Sequence, residues 1–135
     1  MPESIAAVAN EAMMCHGLGA NRAALMLARS VIEASAKVSG ILKGTLEQKI
    51  DKMAAQELLS SVVVGAAHAI RDSGNAVAHA DFAEYAIDIE ADEVIEVLEL
   101  MSLVLQDVFQ SKAKSSRISE AAARRKANRS VPADA

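Results

Sequence analysis

Ala69-Ile-Arg-Asp-Ser-Gly-Asn-Ala-Val-Ala-His79 combines small, helix-compatible residues with three chemically capable groups at four-residue intervals: Arg71, Asn75 and His79. On a helix these fall on one stripe, which His68 joins a turn earlier. The residues alone leave two readings open. In one, the stripe is a polar, partly solvated face whose Asn and His hydrogen-bond neighbouring helices. In the other, Arg71 grips a phosphate bidentately and His79 moves a proton. Gly74 lies inside the stretch and, at about 1 kcal/mol less helix-stable than Ala, predicts a break or bend.

Outward from this segment the periodicity is helical, with no convincing alternation of period two. A helix from about Leu58 through Ile70 leads into it. Upstream, a first helix is expected from roughly Pro2 to His16, with Pro and Glu near its start and Gly17 and Gly19 after its end. A second is expected from about Ala20 to Val38, with Ala24, Leu27, Val31, Ser35 and Val38 as its apolar or small stripe, Gly40 beyond its end, and Arg22, Arg29, Glu33 and Lys37 opposite. Thr45 reads as the N-cap of a short third helix, Leu46 to Ala55, whose Leu46, Ile50 and Met53 face one way.

Downstream of Ala80-Asp81 the chain loosens, and a long fifth helix starts near Glu90. Val94, Val97, Leu98, Met101, Val104, Leu105 and Val108 form its stripe, which Ile95, Leu100, Leu103 and Phe109 widen. That band exceeds what one side of a small bundle requires, and predicts a homodimer. The helix-forming run Ser119-Glu-Ala-Ala-Ala-Arg-Arg-Lys-Ala extends the chain towards Pro132. The expected organisation is therefore an all-α bundle of about five helices over residues 1–111 and a basic, helical or frayed tail over 112–135.

Composition narrows the function classes. There is no Trp, one Tyr (Tyr85) and two Phe (Phe82, Phe109), which argues against aromatic platforms that stack bases. The single cysteine, Cys15, supports neither an internal disulfide nor a thiolate zinc site, and Cys15-His16 reads as a helix end. A cytoplasmic location is expected. The longest uncharged apolar stretch, Leu58 to Ile70, is 13 residues, too short to span a bilayer, so no membrane partner is expected. Glu90, Asp92, Glu93, Glu96 and Glu99 form a solvated acidic face near a helix start, with a divalent-cation site as the competing reading; no metal and no cofactor is expected.

The formal charge of −4 conceals a split: residues 1–111 carry a net −9 and residues 112–135 a net +5. Arg124, Arg125, Lys126 and Arg129 make the tail a candidate for RNA or DNA phosphates through a salt-dependent, sequence-independent attraction, or simply a solubilising segment.

The run Asn21-Arg-Ala-Ala-Leu-Met-Leu-Ala-Arg29-Ser-Val-Ile-Glu33, then Leu46-Glu-Gln-Lys-Ile50, then His68-Ala-Ile-Arg71-Asp-Ser-Gly74-Asn75-Ala-Val-Ala-His79 resembles the DUF4145 family, over about residues 10–110. That family is grouped with the HEPN superfamily of small helical domains. The resemblance implies a bundle that dimerises, a setting in prokaryotic defence or restriction systems, and a metal-independent ribonuclease in the active members, whose Arg and His meet near the dimer interface. It also implies an internal network around Arg29 and Glu33, with Glu33 as a candidate partner for Arg71. Active HEPN domains place four to six residues between Arg and His, whereas seven separate Arg71 from His79. On a straight helix that spacing puts the two Cα atoms about 12 Å apart. Three function classes are carried forward: a nucleic-acid-associated or protein-interaction module, an endoribonuclease using Arg71, Asn75 and His79, and a purely structural dimeric adaptor.

Overall fold

The computed structural model of the chain describes residues 1–78 and 89–129, and of residues 111–116 only the backbone. Six α-helices make up the described residues, with no strand: α1 (Glu3–Gly17), α2 (Asn21–Val38), α3 (Leu46–Ala55), α4 (Ser61–Ala78), α5 (Ala91–Leu105) and α6 (Lys112–Arg129). A π-helical turn, Gln106–Ser111, joins α5 to α6 without a break. No helix of the described residues is long and apolar enough to cross a membrane.

The helix ends follow from local chemistry. Thr45 caps α3 with a reciprocal box: its side chain accepts from the Gln48 N–H while Gln48 accepts from the Thr45 N–H. At the end of α1 the Gly19 N–H bonds the His16 carbonyl and the Ala20 N–H the Cys15 carbonyl. The end of α2 repeats the pattern, with Gly40 bonding Lys37 and Ile41 bonding Ala36. Both glycines have positive φ, as this helix stop requires. The end of α3 makes the same two bonds, Glu57 to Ala54 and Leu58 to Met53, but Glu57 occupies the left-handed position at φ 60.

The core forms where α2 packs against α1, α3, α4 and α5, and α4 in turn packs against α3 and α5. Ile5, Leu25, Ile32, Ile50, Met53, Ile70 and Met101 are its largest fully enclosed apolar side chains. The expected α2 stripe is rotated: Leu25, Ala28, Ile32 and Ala36 are buried beside Ala24, Val31 and Ser35, whereas Leu27 is half-buried and Val38 exposed. Burial therefore spreads over two adjoining stripes, because α2 has neighbours on several sides. Ser35 fits inside by returning its hydroxyl to the Val31 carbonyl at 2.8 Å.

All seven residues of the expected stripe are buried, six on α5 and Val108 in the π turn. Of the four that widen it, Leu100 and Phe109 are half-buried, while Ile95 and Leu103 are 41% and 43% exposed. Every described side chain of α6 from 117 to 129 is exposed except Ala121, which is half-buried. The π turn has an anchoring partner: Asp107 Oδ2 accepts the Ser60 N–H at 2.8 Å, putting a carboxylate at the N-terminus of α4.

Candidate functional site at the crossing of α2 and α4

Helix α4 continues through Gly74 to Ala78, so the expected break is absent. Gly74 has a different task, in packing. A Cβ built there would stand 2.7 Å from Arg29 Cβ and 2.8 Å from Arg29 Cδ, closer than real carbons approach. Arg29 Cβ is fixed to the backbone of α2, so no rotamer change relieves the clash. The bare backbone of α4 at this step is what lets the stem of Arg29 cross it.

That crossing directs the Arg29 head. Its Nε donates to Asn75 Oδ1 at 2.7 Å and its Nη1 to Glu33 Oε1 at 3.0 Å. The Arg29–Glu33 pair is therefore part of an α2–α4 bridge rather than a surface pair, with side-chain exposures of 27% and 43%. Glu33 pairs with Arg29 and not with Arg71, which corrects the suggested contact. The geometry follows from spacing: Glu33 is one turn along α2 from Arg29, and Asn75 adjoins the glycine that admits the stem.

Arg71 faces another neighbour. Its Nε donates to His68 Nδ1 at 3.3 Å, and its terminal nitrogens reach Asp72 at 3.2 Å and Glu47 of α3 at 4.0 Å. His68 Nε2 lies 3.0 Å from Asp51 Oδ1. With Nδ1 accepting from Arg71, the proton belongs on Nε2, where it is donated to Asp51. Arg71 is the enclosed member, 18% exposed, while Glu47, Asp51 and Asp72 stand well into solvent. Two helical turns of α3 thus meet two of α4 through a chain of polar contacts.

The stripe read from sequence therefore divides. Asn75 is tied to α2 and Arg71 to α3, and His79 lies outside the described residues. Glu47 and Asp51 carry no signal in a single-chain motif, although their i,i+4 spacing on α3 places both on one face. Among the described residues no group of three or more His, Cys, Asp or Glu could hold a metal ion. Asn21, which opens α2, donates from Nδ2 to the Ile89 carbonyl at 3.0 Å, fixing the start of α2 to the residues that lead into α5. Arg124, Arg125, Lys126 and Arg129 lie far along the chain from this crossing, on exposed α6.

A family model, described as a domain of unknown function (DUF4145), matches residues 10–121 and so spans all six helices in whole or part. No curated protein and no solved structure matches the chain significantly.

Proposed function

This chain belongs to the DUF4145 family, and from that premise we propose that it is a HEPN-like homodimeric interaction module, of the kind found with defence and restriction systems, rather than a ribonuclease. One observation carries the reading: the described polar residues of the motif, Arg71 and Asn75, are engaged by neighbouring side chains, Asn75 across to α2 and Arg71 across to α3. Asn75 is held by Arg29, and Arg71 is held by His68, Asp72 and Glu47. A phosphate approaching Arg71 would meet the carboxylates of Glu47, Asp51 and Asp72 around a single guanidinium, an unfavourable field for a polyanion. The seven-residue spacing to His79 supports the same conclusion.

Nucleic-acid association without cleavage is the second reading, favoured by the exposed Arg124, Arg125, Lys126 and Arg129 on α6. Incubation of the purified protein with structured and single-stranded RNA in EDTA separates binding from catalysis. The expected result is intact RNA. Cleavage that disappears in both the Arg71→Ala and the His79→Ala variants, each still folded by circular dichroism, would establish the ribonuclease instead.

A further inference from the structure

The outward face of α5 is acidic. Asp92, Glu93, Glu96 and Glu99 are all exposed, and none forms an ion pair among the described residues. Beyond the π turn the sign reverses: Arg117, Arg124, Arg125 and Arg129 are exposed on α6. Within each helix like charges recur one turn apart, Asp92 with Glu96 and Arg125 with Arg129, so each pair repels. The two charge sets cannot relieve one another within one chain. Glu96 and Arg125 are separated by roughly 40 Å of continuous helix, several Debye lengths at physiological salt.

We propose that a second copy of this chain supplies the complement: two copies pair their α5–α6 runs antiparallel about a twofold axis at the π turn, α6 of each lying on the outer face of α5 of the other. The proposal locates the interface of the homodimer inferred above. The register is set by the sequence. An axis between residues 110 and 111 brings Asp92 opposite Arg129 of the partner subunit, Glu96 opposite Arg125 of the partner subunit, Glu99 opposite Ala122 of the partner subunit and Leu103 opposite Ile118 of the partner subunit. Positions 92, 96, 99 and 103 and positions 118, 122, 125 and 129 both step by alternating fours and threes, the repeat that forms one helical stripe. The apolar members match as well. Leu103 and Ile118, 43% and 60% exposed, are large apolar residues without cover that meet in this register and no other that pairs the charges. An isologous contact makes every such pairing twice.

Sedimentation equilibrium of the full chain at tens of micromolar tests this with two charge-reversed variants. The wild type is expected at twice its 14.2 kDa chain mass. Asp92→Arg/Glu96→Arg and Arg125→Glu/Arg129→Glu, each alone, are expected to sediment as monomers, with dimerisation weakened about 100-fold or more by like charges set opposite one another. Mixed in equal amounts, they are expected to restore the dimer, because both contacts of the mixed pair are then complementary. A wild-type dimer that neither variant disturbs would overturn this interface while leaving the homodimer in place. That conclusion would hold equally if the Arg125→Glu/Arg129→Glu variant stayed dimeric but lost retention on RNA, identifying α6 as a nucleic-acid arm. A wild-type monomer would overturn both the interface and the homodimer.

Discussion

The crossing of α2 and α4 and the run from α5 into α6 treat polar side chains in opposite ways. At the crossing, Arg29, Glu33 and Asn75 are half-buried and bonded to one another across two helices. Along α5 and α6, the carboxylates of Asp92, Glu96 and Glu99 and the guanidiniums of Arg125 and Arg129 point into solvent. The difference shows which residues shape the monomer and which remain for a partner. A polar group in a crowded interface costs stability when its partner is lost, whereas an exposed charge can be exchanged within about 0.5 kcal/mol.

The comparison is tested most strongly by two glycines of the same helix. Gly74→Ala is expected to lower stability by about 1–3 kcal/mol in urea unfolding, because overpacking against Arg29 outweighs the gain in helix propensity. Gly65 is exposed with nothing near its missing Cβ, so Gly65→Ala is expected to raise stability by up to about 1 kcal/mol. Equal effects of the two would remove the special role of the crossing. A smaller effect is expected at Glu57, where the left-handed backbone suits glycine: Glu57→Gly should stabilise by about 0.5–1 kcal/mol after the entropy of glycine is counted. No gain in midpoint would mean that the α3 stop relaxes without cost.

Much of the helical layout was legible because its signals are local. Thr45, Gly19 and Gly40 act within a turn of their own position, and the α5 stripe repeats often enough to define a face. The end of α3 at Ala55 falls where the sequence places it, but the left-handed turn at Glu57 was not legible, since no glycine announces it. The π turn was likewise hidden, and so was its anchor, Asp107 accepting from the start of α4, a contact between residues 47 positions apart. The same limit applies at the candidate site. Sequence spacing placed Arg71 and Asn75 on one stripe, but it contained no information that α3 would claim one and α2 the other. In the sequence Gly74 signals only flexibility, while its effect in the fold comes from the arginine packed against it.

The claim that the motif holds the bundle together is tested most directly by a double-mutant cycle on Arg29 and Asn75, read by urea unfolding of the wild type, Arg29→Ala, Asn75→Ala and the double variant. The predicted coupling is about 1–3 kcal/mol, since each single change leaves a half-buried polar group without its 2.7 Å partner. Two costs that simply add, with a coupling within about 0.3–0.5 kcal/mol of zero, would contradict it.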